Sequence, residues 1–227
     1  MLLQDYIFRL QRLLHDAQAQ TFPVTPDLTT YVNIARDRVA LDTLATRVLP
    51  TITVNPFQER YNHAVVQQAT LTLAWTATGG PPPSRNIGAI MNLNYIQSTA
   101  YQPPLNRMAW TDFNLKFRQT GPEQPSAIPS AWAPYSDNQN FYIAPVVGTA
   151  TQLEVDCIYL PLPLVNLNDA ETAIADPLSE LVPLMAARWA MYYMDEQDTA
   201  AAFWAHYKLE RDELAATLPS FAGFSQD

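Results

Sequence analysis

Leu41-Asp42-Thr43-Leu44-Ala45-Thr46-Arg47-Val48-Leu49-Pro50-Thr51-Ile52-Thr53-Val54 is where the period of the chain changes. Up to Val48, apolar residues recur at helical spacing (Leu41, Leu44/Ala45, Val48), while Arg36, Asp37, Arg38, Asp42 and Arg47 take the exposed face. Beyond Pro50, apolar and polar residues alternate, as in a strand with one buried face. A helical part therefore gives way to a β-rich part at Pro50. The expected fold class is α+β.

Upstream, Leu3, Ile7, Leu10 and Leu14, widened by Tyr6 and Leu13, form the apolar stripe of a first helix. Thr21-Phe22-Pro23 breaks it, and Thr25-Pro26-Asp27 opens a second helix as N-cap, first-turn proline and dipole-complementing acid. Downstream, residues Pro81 to Pro163 hold 12 of the 19 prolines, and short alternating runs replace the helical period. Strands are expected at 51–54, 70–75, 90–96, 113–117, 140–143 and 153–159. Gly79-Gly80-Pro81-Pro82-Pro83 reads as a loop tip, and Gly121 to Pro134 as a long connection or protruding arm. From Asp176-Pro177 the helical period returns, with Pro183 kinking the helix or marking its true start. A last helix ends before Pro219. The expected organisation is a helical hairpin over 1–49, a β-rich insertion over 50–165, and a C-terminal helical pair and tail over 166–227. The four terminal helices are expected to pack as one bundle from which the β unit projects.

Composition narrows the function classes. The chain has 227 residues, 48% hydrophobic and 15% charged, which excludes whole-chain disorder. No apolar run long enough to cross a membrane and no signal peptide is read, and the single cysteine, Cys157, fits folding in a reducing cytoplasm. Residues 1–153 carry 10 basic and 9 acidic side chains, and residues 154–227 carry 3 and 13. Such an acidic third argues against general affinity for duplex nucleic acid. Eleven of the 13 basic residues are arginine, a bias toward bidentate ion pairs and protein interfaces.

No catalytic constellation emerges. His15, His63 and His206 lie in different segments at no ligand spacing, so no metal is expected. Cys157 alternates within a strand and reads as a buried structural thiol. Glu154/Asp156 and Asp195/Glu196/Asp198 read as a strand pair and a solvated inter-helix turn rather than a glycosidase couple. Trp75, Trp110 and Trp132 with Tyr101, Tyr135 and Tyr142 are the one set that a sugar platform would use, although in a β-rich unit such residues are more often core or interface anchors. The expectation is a protein without enzymatic activity or cofactor.

Three stretches together resemble a known family. They are Leu10-Gln11-Arg12-Leu13-Leu14-His15-Asp16 with residues Leu28 to Thr43; Trp132 and Phe141-Tyr142-Ile143-Ala144-Pro145 leading to Leu153-Glu154-Val155-Asp156-Cys157; and Leu181 to Ala190 with the helix that follows. This pattern is similar to the adaptor, or head-to-tail connector, proteins of tailed bacteriophages. The resemblance implies a structural protein of the virion neck, in a ring of 12 copies that joins the portal to the tail and lines the DNA channel without sequence-specific binding. It also implies tail, nozzle or fibre proteins as partners and no membrane. Arg36, Arg38 and Arg47 are the expected ring-interface residues, and Phe221 and Phe224 of the tail the expected portal-binding residues. The competing readings are a carbohydrate-binding module of a tail or fibre protein, and a tail-completion or terminator ring.

Overall fold

A computed structural model describes residues 1–16, 18, 20–75, 86–96, 103–118, 128–135 and 139–217, without the side chains of Thr25 and residues 70–75. The described structure is α+β, with six α-helices and two sheets. It divides into two compact units, Met1–Thr46 with Leu160–Asp227, and Arg47–Tyr159. Among the described residues no helix is long and apolar enough to cross a membrane.

The first unit contains α1 (Leu3–Leu13), α2 (Thr29–Thr43), α5 (Leu181–Tyr193) and α6 (Gln197–Thr217). In α1, Leu3, Tyr6, Ile7 and Leu10 are buried, as the apolar spacing requires. The first N–H groups of α1, which have no partner inside the helix, are satisfied from outside it. Leu3 and Gln4 donate to the carbonyls of Asp169 and Leu167, and the Asp5 carboxylate accepts from Leu2 N–H at 2.8 Å. A π-helical turn over Val24–Leu28 leads into α2. That helix stops at Thr43 and does not continue to Val48, because Leu44 turns left-handed at φ 48°. Arg47 and Val48, expected on the helix, form the short strand β1 (Arg47–Val48) instead. α5 is buried nearly all round and packs against α1, α2 and α6, with Ala186, Ala187 and Ala190 allowing close approach. Pro183 is its third residue, where the N–H it lacks has no intrahelical acceptor to lose.

In the second unit, β8 (Thr151–Tyr159) is the central strand of one sheet. β1 and β2 (Thr51–Val54) pair antiparallel along one edge, and β4 (Ile87–Tyr95) pairs along the other. The second sheet runs β3 (Arg60–Asn62), β7 (Asn140–Ala144), β6 (Ala131–Pro134), β5 (Asn106–Arg107), with only the β5–β6 pair parallel. Ile52, Val54, Leu93, Leu153, Val155 and Cys157 of the first sheet share one apolar cluster with Tyr61, Trp132, Phe141 and Ile143 of the second. The other face of β6 and β7 is buried too, because Phe113 of the short helix α4 (Trp110–Phe113) packs on Ala131, Ala133, Tyr142 and Ala144.

Strands form where expected at 51–54, 90–96, 140–143 and 153–159. Two expected strands are helical. Residues 70–75 end α3 (His63–Trp75), whose start is capped by the Asn62 side chain accepting from Ala64 N–H at 2.8 Å. Residues 113–117 lie in α4 and the π-helical turn Asn114–Arg118, because Phe113 and Phe117 also satisfy an i, i+4 spacing and meet at 5.2 Å. The Gly79–Pro83 loop tip and residues 121–127 of the Gly121–Pro134 connection lie outside the described residues, and the end of that connection, Ala131–Pro134, is the strand β6.

Candidate functional site

The expected arginines occupy three different settings. Arg36 is not on an exposed face. Its side chain is 3% exposed and its Nε donates to Glu171 Oε2 at 2.6 Å, with Nη2 on Oε1 at 3.0 Å. Its remaining nitrogen donates to Leu162 O and Asn33 Oδ1. The carboxylate also accepts from Tyr6 Oη and from the N–H groups of Ala173 and Ile174. Burial alone would raise the Glu171 carboxyl, but the Arg36 hydrogen bonds and charge, aided by those two N–H groups, hold it below its ordinary value. Burial, followed by the neighbouring Glu171 charge, pushes the Tyr6 phenol upward. The side chain of Asn33 pairs with both backbone groups of Leu164, so α2 grips the returning chain twice. The apolar-period reading put Arg36 outside because a helix wheel cannot show a buried carboxylate 135 residues away.

Arg38 is 48% exposed and pairs along α2 with Asp42, whose Oδ2 also accepts from the buried Tyr207 hydroxyl of α6 at 3.2 Å. Arg47 is 52% exposed and forks onto Asp156 of β8, with Nε to Oδ1 at 2.7 Å. That hydrogen bond, and then the Asp156 charge, raise the Arg47 guanidinium against the opposing effect of burial. Phe221 and Phe224 lie outside the described residues.

Two exposed helical faces stand out in the first unit. On α1, Phe8 is 60% exposed and lies under the Arg12 guanidinium at 5.7 Å. Beside it Arg9, Arg12, Leu13, Glu180, Pro183 and Leu184 enclose a groove of about 400 Å³, with Arg9 ion-paired to Glu180. On α6, Phe203, Trp204, Tyr207, Leu214 and Ala215 pack on the core, and Ala200 is buried. Asp198, Ala202, Ala205, Leu209, Glu213 and Ala216 recur every three or four residues on the exposed side. Leu209 is 58% exposed. Neither face is among the features that the sequence singles out.

The expected sugar platform is not assembled as one surface. Trp132 is fully buried in the sheet core, with Arg107 at 5.4 Å from its ring. Trp110, Tyr135 and Tyr142 do come together, Trp110 lying 4.8 and 4.5 Å from the other two rings, with Arg118 over Trp110 and Tyr142. Tyr142 is buried against Phe113, and the Trp75 side chain and Tyr101 lie outside the described residues. Cys157 is buried in β8. Asp156 is committed to Arg47, and Glu154 accepts from Asn94 at 3.0 Å. His206 pairs with Glu210 on the surface of α6, and His63 stands against Phe141. Among the described residues no group of His, Cys, Asp and Glu could hold a metal ion. What the described residues offer is a set of surfaces.

None of the curated proteins compared with the chain matches it. A family model described as SU10 adaptor protein matches residues 1–222, nearly the whole length. With that match spanning both the helical unit and the β-rich insertion, the chain belongs to the SU10 adaptor protein family, a phage adaptor family.

Proposed function

We propose that this chain forms the ring, of 12 copies, that couples the portal to the tail of its phage and surrounds the passing DNA. Family membership implies a structural role, interaction with other phage proteins and a place in the virion. The observation that carries the ring reading is that one unit presents two unlike faces, basic and aromatic on α1, acidic and small on α6. A ring needs a heterologous contact of this type, since each copy must offer one surface to each neighbour. In this reading the four terminal helices act as one bundle. Arg38 and Arg47, the two of the arginine trio that the protomer exposes, contribute to ring contacts, while Arg36 braces its own fold. Phe221 and Phe224 dock on the portal, and a net-negative lining repels DNA so that it slides. The β-rich insertion meets a tail, nozzle or fibre protein.

The test is light scattering of the full chain after size exclusion, alone and mixed with the portal of the same virus. A shift to a complex of about one copy per portal subunit, weakened by deleting residues 220–227, supports the proposal. A species that ignores the portal yet is retarded on a glycan column overturns it.

A further inference from the structure

The two faces described above differ in shape as well as charge. The α1 side is a groove floored by Leu13, Pro183 and Leu184 and rimmed by Arg9 and Arg12. Arg9 is already paired with Glu180, whereas Arg12 has no carboxylate partner among the described residues and stacks only on Phe8. The α6 side is a ridge. Its alanines lie flat, and Leu209 is the one large apolar side chain standing out of it. Glu213 lies one turn beyond Leu209 on the same face, and no cation pairs with it among the described residues. Each face thus has what the other lacks: an apolar recess with an unpaired cation, and an apolar knob with an unpaired anion four residues away. Covering Leu209 and the groove floor removes apolar surface from water, and pairing Arg12 with Glu213 there offsets part of the cost of desolvating them.

We propose that in the assembled ring the outer ridge of α6 on one copy docks into the α1–α5 groove of the next, with Leu209 in the recess and Glu213 on Arg12. This rests on the ring reading and adds the seam. Because the two surfaces differ, each copy uses its ridge on one side and its groove on the other, and the contact propagates until it closes.

The test uses virus particles whose adaptor carries Arg12→Cys and Glu213→Cys together. The Cα atoms across an Arg–Glu pair lie too far apart for a disulfide, so a short bis-maleimide bridges them, and the buried Cys157 is left unmodified. A ladder of cross-linked multimers that neither single variant gives is expected. Particles with a full complement of the chain but only monomer-sized bands overturn the seam and leave the ring standing. Wild-type particles without the chain overturn the ring reading itself. Should the cysteine chain fail to assemble, charge reversal decides. Arg12→Glu and Glu213→Arg should each lower particle yield about tenfold, and the combined swap should restore it. A swap no better than either single variant overturns the seam.

Discussion

Glu171→Ala is the perturbation that most directly probes how the chain is secured when it returns from the β-rich unit. In the wild type the Glu171 and Arg36 side chains are 1% and 3% exposed, and the carboxylate gathers five donors: two guanidinium nitrogens, Tyr6 Oη and two backbone N–H groups. Truncation leaves a buried guanidinium with only neutral acceptors, Leu162 O and Asn33 Oδ1. Breaking a buried pair from one side costs about 3–5 kcal/mol. Tyr6 Oη keeps only its contact with Ser179, and the N–H groups of Ala173 and Ile174 lose their acceptor, so this case sits in the middle of that range, about 4 kcal/mol. Urea unfolding read by far-ultraviolet circular dichroism follows the helical unit. With a slope of about 2 kcal/mol per molar, the helical transition should move down by about 2 M. Arg36→Met added to Glu171→Ala removes the stranded charge and should recover part of the loss, a coupling that a double-mutant cycle reads directly. A shift below about 0.5 M for Glu171→Ala would refute the view that this pair fastens the returning segment to α2.

The remaining predictions concern pH, packing and reactivity. Because the folded protein holds the Glu171 carboxyl below its ordinary value, its contribution is complete above the carboxylate range and is lost as pH falls through it. The urea midpoint of the helical unit should therefore drop below about pH 5, and Glu171→Gln should flatten that slope. Trp132→Ala should cost the β-rich unit about 3–5 kcal/mol, seen as earlier loss of near-ultraviolet dichroism, since the side chain is fully buried between its neighbours. The Cys157 thiol should resist a thiol reagent in the native chain and react at the rate of a free cysteine in urea.

Much of the fold was legible because one physical signal dominated. In α1 the apolar spacing and the buried set coincide, and in β2 alternation maps directly onto burial of Ile52 and Val54. Alternation misled where two periods share the same residues. Phe113 and Phe117 are two strand steps or one helical turn apart, and only the exposure of Leu115 between them, 62%, separates the readings. The helical identity of residues 70–75 was signalled upstream, by Asn62 as a cap, rather than within the run itself. The surfaces were least legible. Arg36 could not be placed without Glu171, and the α1 groove is made by Pro183 and Leu184, which lie far from α1 in sequence.

The pairing of β1 with β8 has a consequence for how the molecule is made. Arg47 stands opposite Ile158 and Val48 opposite Cys157, so the first and last strands of the inserted unit are neighbours. For the helical unit, joining α2 to the segment that carries Glu171 across a loose loop of about 110 residues would cost about 4 kcal/mol in closure entropy. Once the insert has formed, its two ends are fastened side by side and that cost has already been met. Synthesis favours this order, because the insert is complete before α5 and α6 exist. The same pairing lets strain or unfolding in the insert reach the helices only through the two chain crossings beside Arg47 and Tyr159.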